Sequence, residues 1–434
     1  MDKMADVLGR AGAWCGQNKY LSAIKNAFQN FMPLTIAGAI GVLWCNVLVN
    51  DQTGLGLFFK PIMALEFLNP AFQAVNFCTI SCITVGITLG IAQEIGVWNM
   101  GAEKAGYIPG LVGLAAWLSV TNTSHMVEGA KEAFTGIAGN ELGATGLFTG
   151  MIIGVLSVEL FCFFEKQDAL KIKMPEQVPP GVARAFEVLV PATITLIITA
   201  CIGSACYNLT GLYLNDVIKN GIQGPLGAVG ATIPGVMIIY LVIMLFWLVG
   251  IHGNNMLSAV KEALFTPLAL ENVEKFNKGE KPTNIINMYA LQMWGEFGGS
   301  GVTIGLVIAI MIFGKREDNK AIASLSLVPG LFNINETVTF GIPMVLNPIL
   351  GIPFVFACLV TILVGYVLTV IGFCPVACLT VPWTTPPIVF GFLATGANVM
   401  GAVTQAILIV VSTVIYVPFL IAYEKYQNKQ AAEA

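Results

Sequence analysis

Six apolar runs, each about 20 residues long, take up about half of the first 250 positions: 31–50, 72–93, 105–122, 146–164, 186–206 and 228–250. A helix of about 20 apolar residues crosses a hydrocarbon core about 30 Å thick. Composition points the same way. Of 434 residues, 56% are hydrophobic and 11% charged, whereas soluble domains carry about 25% charged residues. A soluble fold could not hide that much apolar surface from water, so the solvent for these runs is lipid.

After Gly250 the pattern changes. Residues 253–300 carry Lys261, Glu262, Glu271, Lys275, Lys278 and Lys281 and contain no clean span. Residues 301–314 are apolar, and 351–373 and 402–423 read as spans again. Between them lie two broken segments, 321–349, interrupted by Pro329-Gly330 and Gly341-Ile342-Pro343, and 376–399, interrupted by Pro382 and Pro386-Pro387. This predicts an all-α polytopic membrane protein with about ten crossings and one or two re-entrant hairpins. The outer loop near 207–226 divides it into an N-terminal scaffold, 1–215, and a C-terminal part, 216–434, that holds nearly all the breaks. Interrupted backbone at membrane depth survives only where protein or a water-filled cavity satisfies its polar groups, and transporters bind cargo there. The second half is therefore expected to be the transport domain. No sequence repeat relates the halves.

Eighteen of the 21 lysines and arginines fall on one side if the N-terminus is inside, leaving Lys60, Lys131 and Lys219 outside. That bias places both termini and the 253–300 segment in the cytoplasm. The net charge of −4 offers no footprint for nucleic acid. Ten cysteines lie singly or as loose pairs in apolar runs, without a C-x-x-C spacing, and there are two histidines, so neither a metal site nor a cofactor is expected. The first long apolar run follows a polar, mixed-charge segment without a visible cleavage signal.

An ionisable group inside a span costs about 2.5–3.5 kcal/mol on insertion scales, so each one needs a reason. Glu336 is the strongest candidate. It sits with Asn333 and Asn335 in an apolar segment that breaks within ten residues on either side. A carboxylate accepts bonds from vicinal hydroxyls and amides both donate and accept, which suits a sugar. Capping of a half-helix and proton coupling are the alternatives. His252 ends a long span between Gly250-Ile251 and Gly253, where an imidazole can donate and accept toward a ligand or be satisfied locally. Trp247 and Trp383 could offer an apolar platform to a sugar ring, or mark a membrane interface. Arg184 and Glu187, at a span start, could pair with each other or face the cavity. Glu296 with Gly298-Gly299-Ser300-Gly301 could form a flexible break or allow close helix packing. His125 falls in a polar outer loop.

Three stretches carry a resemblance through the whole chain. They are Leu21 to Phe28 leading to Met32-Pro33-Leu34-Thr35-Ile36-Ala37-Gly38-Ala39; Trp247 to Gly253; and Asn335-Glu336 with Gly341-Ile342-Pro343-Met344 to Asn347-Pro348. Pro382-Trp383-Thr384 adds to them. In these the sequence resembles the lactose/cellobiose/diacetylchitobiose branch of the phosphotransferase-system IIC permeases. The resemblance implies an all-helical homodimer with a five-span dimerising domain. It also implies a transport domain of five spans and two re-entrant hairpins, moving like an elevator in the bacterial inner membrane. A IIB protein would pass a phosphoryl group from cysteine to the sugar 6-hydroxyl. Glu336 would hold that hydroxyl and His252 would contact the sugar, with Trp247, Asn335, Trp383 and Arg184 around the pocket. Eleven residues follow Tyr423, so the phosphocysteine is expected on a separate chain and the permease is not expected to be an enzyme by itself. Cellobiose is the first expected substrate, ahead of diacetylchitobiose, gentiobiose and lactose. The rivals are an ion-coupled transporter using Glu336, and an intramembrane transferase, which would need a second acid/base or metal cluster that the sequence lacks.

Topology is testable with impermeant thiol reagents and single cysteines at positions 2, 130, 278 and 430 in a cysteine-free background. Position 130 should label from outside, while 2, 278 and 430 should not. Outside labelling at 278 or 430 overturns the orientation.

Overall fold

The computed structural model describes residues 10, 13–14, 17–51, 55–125, 134–175 and 177–433. Lys3 and Lys131, both used in the charge argument, and positions 2 and 130 lie outside the described residues. The architecture is helical, and a two-residue antiparallel ribbon pairs Ser124 with Thr135 and His125 with Phe134. Two compact units are present. One comprises Gln17–Gly38 and Val75–Ala228; the other comprises Ala39–Ala74 and Val229–Ala434 with the described residues before Gln17.

In the first unit, helix Ile83–Met100 packs against Ile108–Val120 and Ala144–Glu165, and Pro180–Thr210 lies on the latter two. Small residues set these spacings. A Cβ on Gly150 would stand 2.2 Å from Thr88 Oγ1, and one on Gly113 would stand 2.3 Å from Ala92 Cβ. Close approach at small residues is how helices gain packing energy in lipid, where burial of apolar surface drives little association. The helix around the first apolar run begins at Lys19, twelve residues before the run itself. Asn18 Oδ1 accepts from the Tyr20 and Leu21 amides, and Glu159 pairs with Lys19 at 2.5 Å, so the polar start is satisfied.

The second unit carries the breaks. Helix Ile233–Leu248 is followed by a turn at Gly250, whose φ is +80°, and helix Gly253–Asn277 starts three residues after that glycine. Gly253 lies against the preceding helix, where a Cβ would come 2.0 Å from the Ile243 carbonyl. The 253–300 segment thus contains a 25-residue helix, and Lys261 on it is buried rather than a free loop charge. A second helix, Met288–Gly295, starts from Asn287, whose Oδ1 accepts from the Tyr289 and Ala290 amides. Met288–Val302 and Ile304–Phe313 form one pair bent by 59°, so the apolar run 301–314 is the second limb of a broken element.

Helices Glu317–Leu331, Glu336–Gly341, Gly351–Val370, Val389–Ala394 and Val399–Glu433 complete the unit. The stretch between Val370 and Val389 is irregular. Its backbone is held by amide side chains: Asn272 and Asn287 both donate to the Ala377 carbonyl, at 3.0 and 3.1 Å, and Gln405 Oε1 accepts from the amides of Ile388 and Gly391, each at 2.7 Å. By length and apolarity, five helices among the described residues can cross a membrane, or seven if each of two bent pairs is one span. Ile108–Val120 and Ile233–Leu248 are shorter apolar helices. The long helices Ala144–Glu165, Pro180–Thr210 and Val399–Glu433 expose large apolar side chains such as Leu156, Ile197, Ile202, Val410 and Val414.

Gly301 is one of the tight points of the turn that ends the first limb. Its φ is +77°, and a Cβ would lie 2.4 Å from the Phe354 ring. Gly301→Ala should lower stability by about 1–3 kcal/mol from backbone strain alone, read as a lower thermal midpoint in detergent. An unchanged midpoint would contradict this packing.

Candidate functional site

The site is built on two breaks of the second unit. The first is the turn after Leu248. His252 Nδ1 accepts from the Asn255 amide at 3.2 Å and so caps the Gly253–Asn277 helix. That bond fixes the imidazole through Nδ1 and leaves Nε2 pointing away from its own helix. Trp247 lies beside it, ring centroids 4.5 Å apart and tilted 47°.

The second break is Phe332 to Asn335. Asn333 adopts a φ of +63°, a left-handed conformation that asparagine tolerates better than most residues. Its side chain holds three main-chain groups on two other segments: Oδ1 accepts from the Gly298 amide at 2.7 Å, and Nδ2 donates to the carbonyls of Trp383 and, at 3.1 Å, Thr385. Asn335 is buried and donates to the Ser300 carbonyl at 2.9 Å and to Thr339 Oγ1 at 3.2 Å. Glu336 opens the short helix that follows.

These breaks face each other. His252 Nε2 stands 3.9 Å from Glu336 Oε1, with 38% and 46% of the two side chains exposed. That is too long for a direct hydrogen bond and short enough for one oxygen to bridge. Trp383 is 44% exposed and held at this place by its carbonyl. Trp247 is 2% exposed, so it backs His252 rather than presenting a free ring face. Its Nε1 is buried without a hydrogen-bond partner among the described residues.

The structure therefore brings together Glu336, Asn335, His252, Trp247 and Trp383. Arg184 belongs to the other unit. There it donates to Glu165 at 3.0 Å and to Glu187 at 2.7 Å, and the fully buried Glu165 carboxylate also meets Lys104 at 2.8 Å. Of the two sequence expectations for Arg184 and Glu187, the pairing is what the side chains do. His125 sits in the ribbon, its ring 6.0 Å from that of Phe134. No group of three or more metal-ligating side chains occurs among the described residues.

Sequence reasoning missed a second polar cluster behind the site. Lys261 pairs with Glu296, which also accepts from Tyr240 OH at 2.7 Å, and Lys261 reaches Asn254 Oδ1 at 3.3 Å. A signal existed: Lys261-Glu262 interrupts an otherwise apolar stretch from Met256 to Leu270.

Comparison with known proteins matches this sequence and this fold. Residues 25–358 match the family model described as "Phosphotransferase system, EIIC". The chain is 33% identical to the oligo-beta-mannoside-specific EIIC component of the phosphotransferase system of Bacillus subtilis (strain 168), over 98% of this chain and 94% of that one. It is 29% identical to the cellobiose-specific EIIC component of Lactococcus lactis subsp. lactis (strain IL1403), over 98% of each. Among solved structures it resembles the transporter ChbC, the IIC component from the N,N'-diacetylchitobiose-specific phosphotransferase system. There the TM-score is 0.88 with 29% identity over 97% of both chains. The chain belongs to the phosphotransferase-system EIIC family, the membrane permeases of sugar phosphotransferase systems.

Trp247→Phe should keep both the thermal midpoint and sugar affinity, because the ring contact with His252 survives and only an unpartnered N–H is lost. Trp247→Ala should lose both, since removing a buried Trp ring costs about 3–5 kcal/mol. Loss of binding in the Phe variant alone, measured by calorimetry, would show that the indole N–H takes part in recognition.

Proposed function

We propose that this permease carries a β-linked disaccharide, cellobiose foremost, across the bacterial inner membrane, and that the facing pair His252 and Glu336 holds the sugar's 6-hydroxyl. The observation that carries this reading is the 3.9 Å separation of Nε2 and Oε1 at two half-exposed side chains set on broken helices. A hydroxyl oxygen about 2.8 Å from each fits that separation, donating to the carboxylate and accepting from the imidazole N–H. Trp383 then flanks the sugar, with Asn335 behind. A contribution of Arg184 to sugar contact belongs to the same proposal and rests on the family resemblance; its guanidinium pairs with Glu165 and Glu187. The substrate class draws support from relatives named for cellobiose, oligo-β-mannosides and diacetylchitobiose.

In the proposed cycle the chain works as a homodimer with about ten spans and two re-entrant hairpins, both termini cytoplasmic. The 216–434 domain shifts against the 1–215 scaffold and brings the sugar to the cytoplasmic face. There the 6-hydroxyl oxygen attacks the phosphorus of phosphocysteine on a separate IIB protein. The O–P bond forms, the S–P bond breaks, the thiolate leaves with the bonding electrons, and Glu336 takes the hydroxyl proton. Little else is required of the permease, because phosphoryl transfer depends mostly on positioning and electrostatics.

Glu336→Gln and His252→Ala should each weaken sugar binding strongly while the protein stays folded. Losing one partner of a bound hydroxyl costs about 1–3 kcal/mol, and more when that partner is charged. Wild-type affinity in both, by calorimetry, would place the site elsewhere. In vesicles, the purified protein should let radiolabelled sugar equilibrate, and phosphorylated IIB on the cytoplasmic side should trap it as the 6-phosphate. Accumulation of unmodified sugar that an ionophore abolishes would establish ion coupling instead.

A further inference from the structure

Behind the His252–Glu336 pair runs a chain of largely buried polar contacts. Tyr240 OH donates to Glu296 Oε1 at 2.7 Å, and Lys261 donates to the same oxygen. Lys261 also donates to Asn254 Oδ1 at 3.3 Å, Asn254 Nδ2 donates to Ser300 Oγ at 2.9 Å, and the Ser300 carbonyl accepts from Asn335 Nδ2 at 2.9 Å. Asn254 lies two residues from His252, and Asn335 immediately precedes Glu336. The side chains of Lys261 and Glu296 are 7% and 17% exposed, and Lys261 lies 5.4 Å above the Tyr240 ring. Each charge is largely out of water and has one opposite charge to pair with, so few geometries satisfy both.

We propose that Lys261 and Glu296 form a positioning pair for the sugar site, fixing the separation of its two arms through Asn254, Ser300 and Asn335. The inference rests on the site reading given under the proposed function. Lys261 holds the amide oxygen of Asn254, so the Asn254 amide nitrogen is aimed at Ser300. Ser300 in turn is where the Glu336 arm is fastened. Without the pair, the Asn254 amide is no longer held toward Ser300, and the gap between the imidazole and the carboxylate is freer to widen.

A pair that serves only stability and a pair that positions the site give different results when both charges are removed together. Lys261→Met or Glu296→Gln alone strands a buried charge, so each should lower the thermal midpoint on either account. The double variant strands none and should regain the midpoint. If the pair positions the site, its affinity for cellobiose should stay about tenfold or more below wild type, the equivalent of one well-aimed hydrogen bond at about 1.4 kcal/mol. Recovery of wild-type affinity together with the midpoint would overturn the proposal. Should the double variant fail to fold, Tyr240→Phe provides a second reading. It deletes one donor to Glu296 without stranding a charge, at a side chain 1% exposed and out of reach of ligand. Weakened cellobiose binding with an unchanged midpoint supports positioning, and unchanged binding overturns it. Glu336→Gln measured alongside separates the two claims. If that variant binds as wild type, the site reading fails and the positioning role with it. If it loses binding while the double variant does not, the positioning role alone fails.

Discussion

Backbone that leaves a helix at membrane depth has no water to turn to, and its amides and carbonyls must find partners inside the protein. The turn from Gly295 to Thr303 meets that requirement group by group. The Gly298 amide is taken by Asn333, the Gly298 carbonyl by Thr303 Oγ1, the Ser300 carbonyl by Asn335, and the Gly301 carbonyl by Tyr416 OH. The Gly295 carbonyl meets the Cys358 thiol at 3.3 Å. Glycines at positive φ make the turn narrow enough for these partners to reach it. Because Asn333 and Asn335 flank Glu336 closely, satisfying the turn and placing the carboxylate are one structural event.

The same logic explains why asparagine recurs. Its amide donates and accepts at once, so one side chain can satisfy two or three main-chain groups without adding charge. Asn272, Asn287 and Asn333 all serve in this way, Asn335 holds one main-chain carbonyl, and Gln405 holds two amides near Ile388. Ile388 has a φ of +76°, unusual for a β-branched residue, and its amide is held at 2.7 Å. Rigid, uncharged joints of this kind let polar side chains stand at a break without the break itself moving.

Much of this was legible in the sequence. Apolar runs of spanning length gave the helical membrane class, and the proline and glycine interruptions pointed to the part where Glu336, Asn335, His252 and Trp383 meet. Periodicity could not show that Lys261 faces inward. A lysine at a polar helix surface and one paired with Glu296 look alike until the fold brings positions 35 residues apart together. Likewise, the indole of Trp247 reads from sequence as a ligand platform or a membrane-interface residue, and only packing places it behind His252. The 253–300 charges resembled loop charges because the helix carrying them is amphipathic only in part, with Lys275 and Lys278 at its polar end.

Asn333 holds residue 383 through its carbonyl oxygen, an atom that every amino acid supplies. The tie is indifferent to the side chain at that position. Trp383 is thus a fitting mounted on a frame that does not require it, and the frame would accept a different fitting without being rebuilt.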